Sequence, residues 1–155
     1  MRSKTRILFV CLGNICRSQM AEAMFRAMVA ERGEADKYEI DSAGTSDEEH
    51  GNPMDPPARR CLLSHGIEPG NHRARQITSS DYDRFDNIIL MEEANRRQMR
   101  RIISDDPEGK ISLLLDHAPD ADHRNIADPW YTGDFEVTYD DLRIGLDGLL
   151  KEMNN

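Results

Sequence analysis

Short apolar runs alternate along the chain with stretches whose apolar residues recur at helical spacing. Residues 6–10, RILFV, form a β-prone run, and Ala21, Met24, Phe25 and Met28 then fall at i, i+3, i+4 and i+7. That pattern predicts a strand, a turn and a helix ended by the Arg32-Gly33 region. YEIDSAG at 38–44 reads as a second strand, PPARRCLLSHG at 56–66 as a helix stopped by glycine, and FDNIILM at 85–91 as a buried strand. A helix is expected over 92–103, a last strand at ISLLL, 111–115, and a C-terminal helix with Leu142, Leu146, Leu149, Leu150 and Met153 on one face. Four strands with intervening helices predict an α/β fold, a four-stranded parallel, doubly wound sheet with helices on both faces. No repeat, low-complexity tract or linker interrupts the pattern, so residues 1–155 are expected to form a single domain.

Composition narrows the function classes. Three cysteines, Cys11, Cys16 and Cys61, are too few and too odd in number for a disulfide scaffold, and no apolar run approaches a membrane span. The basic start MRSKTR leads into an apolar run that ends at Cys11 without a signal-peptide core or cleavage site, so a cytoplasmic setting is expected. A net charge of −9 argues against nucleic-acid or anionic-membrane partners, although sixteen arginines against four lysines could still build a local anion site.

In a doubly wound sheet, ligands bind beyond the carboxyl ends of the strands, and there the sequence reads CLGNICRS, residues 11–18. Five residues separate Cys11 from Arg17, with Gly13 and Asn14 supplying backbone freedom and Ser18 near the helix start. Such a segment can curl into a ring. With its amides pointing inward and a helix N-terminus behind it, the ring cradles an oxyanion and stabilises a thiolate at Cys11. The planar Arg17 fork suits two phosphoryl oxygens. With sixteen arginines in 155 residues, a cysteine has an arginine six positions on by chance about one time in ten. It is the strand before, the helix after and the Gly-Asn turn between that point to a phosphate loop. Walker, dinucleotide and C-x-x-C motifs are missing from the sequence. A leaving oxygen needs a proton donor, and ADPWYTGD, 127–134, offers Asp128. Pro129 biases it toward an extended backbone, and the rings of Trp130 and Tyr131 could flank an aromatic leaving group. An ordinary Asp-Pro turn is the competing reading.

VCLGNICRSQMAE together with DPWY resembles the low-molecular-weight protein tyrosine phosphatases, and DSAGTS, GNPMDPPA, HGI and ARQIT extend the likeness over nearly the whole chain. The resemblance implies a flavodoxin-like three-layer sandwich and an enzyme that hydrolyses phosphotyrosine and aryl phosphate monoesters through a cysteinyl-phosphate. It implies Cys11 as nucleophile, Arg17 as phosphate-binding and transition-state residue, and Asp128 as general acid and then base. Leu12, Gly13, Asn14, Ile15, Cys16 and Ser18 would line the phosphate site, with Trp130 and Tyr131 at its mouth and Ser42 and His72 supporting the loop from behind. Cys16 is implied as the partner of Cys11 in a protective reversible disulfide. Neither a metal nor a cofactor is expected, and phosphotyrosine-containing proteins or peptides are the expected partners of a monomer or weak dimer.

The sequence departs from the family at two positions. Gln19 stands where proline is usual, which removes a preorganised helical turn but no reacting group, and Glu48 replaces an aromatic specificity residue within the acidic run DEEH, 47–50. Arsenate reductases share the loop but need a later redox pair of cysteines, and only Cys61 lies beyond it. Protein-arginine phosphatases carry a small threonine where this chain has Ile15, whose bulk favours flat aryl groups. A binding module without catalysis would have lost Cys11, Arg17 or Asp128. Cys61 is expected to be a packed small residue, and His50, His65, His117 and His123 show no metal-ligand spacing.

Overall fold

Every residue from Ile7 to Cys11 is buried, because the strand they form is covered on both faces. The structure, a computed structural model, describes residues 4–154; residues 1–3, within the basic stretch MRSKTR, and residue 155 lie outside the described residues. The side-chain alternation of a strand divides this run: Ile7, Phe9 and Cys11 enter one apolar cluster, Leu8 and Val10 another. The three-layer arrangement follows from that division.

The strands are β1 (Thr5–Cys11), β2 (Tyr38–Gly44), β3 (Asn87–Leu90) and β4 (Ile111–Leu113). They form one parallel sheet in the order β2-β1-β3-β4, with Ile7 opposite Ile40 on one side and Asn87 on the other. The helices are α1 (Arg17–Glu31), α2 (Pro56–Ser64), α3 (Ser79–Arg84), α4 (Glu93–Gln98), α5 (Pro129–Thr132) and α6 (Phe135–Met153). α1, α2 and α6 supply Phe25, Leu62 and Leu146 to the first cluster, while Tyr82 of α3 and Met99 and Ile103 beyond α4 join the second. The reversal of strand order falls beside β1, so its carboxyl end opens at the topological switch point. No helix among the described residues is long and apolar enough to cross a membrane.

Three element boundaries differ from the sequence reading. The helix expected over 92–103 stops at Gln98 and continues as turns, in which Met99 carbonyl oxygen accepts from Ile102 and Ile103. Arg96 and Arg100, and Arg97 and Arg101, would be like-charge i, i+4 pairs in a longer helix. The strand expected over 111–115 ends at Leu113, where Asp116 Oδ2 accepts the Leu113 N–H and turns the chain into a 3₁₀ segment, Leu114–His117. The strand expected over 85–91 spans only Asn87–Leu90, because Phe85 closes α3, a helix the sequence reading did not include although Thr78 and Asp81 form a reciprocal capping box at its start.

Candidate active site

The loop between β1 and α1 is shaped by Asn14, the single non-glycine residue with positive φ (61°) among the described residues. Asparagine tolerates this conformation, and the turn brings the Asn14 N–H to 3.3 Å from Cys11 Sγ. Its side chain is buried, with Nδ2 donating to Ser18 Oγ at 2.7 Å and Ser42 Oγ at 3.0 Å. Because Ser18 Oγ accepts there, its own proton is free for Cys11 Sγ, 3.0 Å away. Sulfur thus sits at the end of a polar relay that suits a thiolate. Among the described residues no protein acceptor takes the backbone N–H of Gly13, Ile15 or Cys16, which leaves these amides for an anion.

Behind Asn14 lies His72, whose Nε2 is 2.8 Å from Asn14 Oδ1 and whose Nδ1 is 3.3 Å from both Glu22 Oε1 and Asp41 Oδ1. Both ring nitrogens face oxygen atoms, so the ring is held in place from both sides. Ser42 donates to Glu22 Oε1 at 2.7 Å, and the Arg75 N–H adds a second donor to Asn14 Oδ1 at 3.1 Å. Burial pushes the Asp41 carboxyl up, but hydrogen bonds from His72 and the Ser42 N–H, and the Arg75 charge, hold it at about 2. The position of Ser42 at the end of β2 was legible; Glu22, Asp41 and Arg75 were not, since their spacing in sequence carries no signal. Gln19 fills the proline position usefully: its Nε2 donates to Asn14 carbonyl oxygen at 2.8 Å and steadies the strained turn.

Arg17, at the first position of α1, is buried and points across the sheet end. Nη1 pairs with Glu92 Oε2 at 2.5 Å and Ile126 carbonyl oxygen at 3.1 Å, and Nη2 reaches Asp128 Oδ2 at 3.3 Å. Among the described residues no acceptor takes the Nε proton, so the Nε–Nη2 edge keeps parallel donors for a bidentate anion. Asp128 caps α5 by accepting the Trp130 N–H on Oδ1, which aims Oδ2 at the loop. Trp130 and Tyr131 follow it, 86% and 84% exposed, with Leu12 also exposed and Ile15 half-buried. Glu92, the anchor of Arg17, was missed because only the fold brings the end of β3 to α1.

Two further neighbours shape the loop. A Cβ on Gly44 would stand 2.6 Å from Leu12 carbonyl oxygen, so only glycine lets β2 approach this closely. Cys16 is half-buried and its Sγ donates to Asp55 Oδ2 at 3.6 Å; burial, then the charges of Asp55 and Cys11, push its thiol well above the ordinary range.

A loop of free amides between a cysteine and an arginine, set at the carboxyl end of a parallel strand and faced by an aspartate, defines a cysteine-dependent phosphomonoester hydrolase on a doubly wound sheet. Residues 6–155 match the family described as low molecular weight phosphotyrosine protein phosphatase. The chain belongs to that family and is an enzyme of its class. It is 45% identical over 138 residues to the low molecular weight phosphotyrosine protein phosphatase of Gallus gallus, covering 86% of each chain. It is 40% identical to the low molecular weight protein-tyrosine-phosphatase YfkJ of Bacillus subtilis, over 93% of this chain and 92% of the relative. The YfkJ crystal structure superposes with a TM-score of 0.94 at 38% identity, covering 99% of this chain and 96% of that one.

Proposed function

We propose that the chain removes phosphate from phosphotyrosine and related aryl monoesters in two steps at Cys11. The observation that carries this reading is the donor set around the sulfur, Ser18 Oγ at 3.0 Å and the Asn14 N–H at 3.3 Å, at the mouth of a loop with free amides. In the first step, the Cys11 thiolate forms a bond to phosphorus as the P–O bond to the leaving group breaks, and Asp128 gives its proton to the departing oxygen. The Arg17 Nε–Nη2 edge and the loop amides of Leu12 to Ser18 hold the phosphoryl oxygens. In the second step Asp128 takes a proton from water, which displaces the sulfur and releases phosphate. Trp130, Tyr131 and Ile15 supply flat apolar surface for the ring, and Ser42 and His72 keep Asn14, and through it Ser18, in place.

Turnover of an aryl phosphate by wild type should survive EDTA and vanish in Cys11→Ser. Asp128→Asn should lose about 10²- to 10⁴-fold. That loss should be greatest for esters with basic leaving groups and smallest for nitrophenyl esters. Activity in Cys11→Ser, or an Asp128→Asn defect equal across the leaving-group series, would sink the roles assigned.

The same reading makes phosphotyrosine-containing proteins or peptides the partners, with no cofactor, nucleic acid or membrane involved. It places residues 1–155 in one domain, working in the cytoplasm as a monomer or weak dimer. The net charge of −9 supports the lack of nucleic-acid and anionic-membrane partners.

A further inference from the structure

Away from the loop, α2 and α6 meet where one cysteine, one histidine and one glutamate converge. Cys61 lies in the last turns of α2, His65 caps that helix, and Glu136 opens α6. The i, i+4 spacing sets sulfur and imidazole on the same side of the helix end. Cys61 Sγ donates to Glu136 Oε2 at 3.3 Å, and His65 Nε2 is 2.7 Å from Glu136 Oε1. The three donor atoms lie within 4.8 Å of one another. Tyr139 stacks on the His65 ring, with centroids 3.7 Å apart and planes 4° from parallel, and so fixes the imidazole before any ligand arrives. Cys61 is buried and Glu136 exposed, which puts sulfur at the base and carboxylate at the mouth. The thiol is no spare nucleophile: burial and then Glu136 push it up to about 12.

Thiolate, imidazole and carboxylate are the donors of a tetrahedral zinc site, bound at roughly 2.3, 2.0–2.1 and 2.0–2.2 Å. Ligand atoms around such an ion stand roughly 3.5 Å apart, so the cluster needs only a small opening to admit one. A second cluster, Glu22, Asp41 and His72, is already committed to holding Asn14. We propose that Cys61, His65 and Glu136 bind one borderline-soft divalent cation of the zinc class, with solvent as the fourth ligand, fastening the end of α2 to the start of α6. The cation replaces the thiol proton, which leaves to solvent as the metal–sulfur bond forms, so affinity rises with pH. The site takes no part in catalysis. It joins two elements that frame the active site, since Asp55 at the head of α2 donates its N–H to Ile15 carbonyl oxygen and α6 follows the Asp128 segment.

The test is a cobalt(II) titration of the full chain carrying Cys11→Ser, which removes the catalytic thiol. One equivalent should raise a thiolate-to-cobalt charge-transfer band in the near ultraviolet, bleached by zinc and untouched by magnesium. Adding Cys61→Ser should abolish the band, His65→Gln and Glu136→Gln should each weaken binding by about tenfold or more, and Cys16→Ser should leave it unchanged. Circular dichroism of each metal-free variant shows that the fold is kept. No band with the parent chain, a band that survives Cys61→Ser, or unchanged affinity in both His65→Gln and Glu136→Gln would overturn the site.

Discussion

Cys16 lies beside two sources of negative charge, Asp55 and Cys11, and is half-buried, so its thiol holds its proton tightly. That bears on redox behaviour. On the proposed mechanism peroxide should convert Cys11 into a neutral sulfenic acid, which removes one of the charges acting on Cys16. Cys16 should then condense with it, losing water and forming a disulfide that thiol reductant reopens. Wild type should therefore recover after peroxide and reductant, whereas Cys16→Ser should recover poorly. Asp55→Asn should close the disulfide faster, because it removes the carboxylate that holds the thiol proton. Full recovery in Cys16→Ser, or a disulfide mapped to Cys61, would refute the pairing. The residue types at the site were legible because Cys11, Asn14, Arg17 and Ser18 fall within the short contiguous stretch 11–18. Their partners Glu22, Asp41, Glu92 and Arg75 were not, since each comes from a different element.

At the scale of elements, the segment after β2 forms one wall of the site. Thr45 and Ser46 donate to the carbonyl oxygens of Cys11 and Leu12, which binds this segment to the loop. Glu49 follows closely: its Cγ would be 3.4 Å from a Cβ on Gly13. The acidic run thus borders the loop, and Asp47, Glu48 and Glu49 should disfavour phosphotyrosine peptides with acidic neighbours. Exposed charges are screened over about 8–10 Å, so the preference in kcat/KM should be modest and shrink as salt rises. A matched peptide series at low and high salt, with wild type and Glu48→Gln/Glu49→Gln, measures it. If the double variant keeps both the ranking and its salt dependence, the run is only a solvated face.

Across the whole molecule, the relay from Asp41 and Glu22 through His72 and Asn14 to Ser18 ties α1, β2 and the segment before α3 to the Cys11 sulfur. Asp41 makes this tie sensitive to acid. Its folded-state value of about 2 lies below the ordinary 3.8, so its contribution is present above about pH 4 and is lost as pH falls through about 2. The shift corresponds to about 2 kcal/mol. Urea unfolding from pH 5 to 2 should show wild type losing stability more steeply than Asp41→Asn by about that amount. Parallel pH profiles would show that Asp41 does not carry the effect.

The sequence by itself determined the parallel sheet and the loop at the end of β1, and it held the residues proposed to react, because apolar periodicity and a short contiguous motif are local signals. It also carried the departure at Gln19, though not its remedy, a side-chain bond to the carbonyl oxygen of Asn14. Only the tertiary structure decided which groups orient the reacting ones. The Glu92 anchor of Arg17 and the close approach at Gly44 arise where strand ends converge, as does the meeting of Cys61 and His65 with Glu136 where two helices pack. Separation along the chain hides such pairs, since closing the loops between them depends on the packing of the entire core rather than on any local preference.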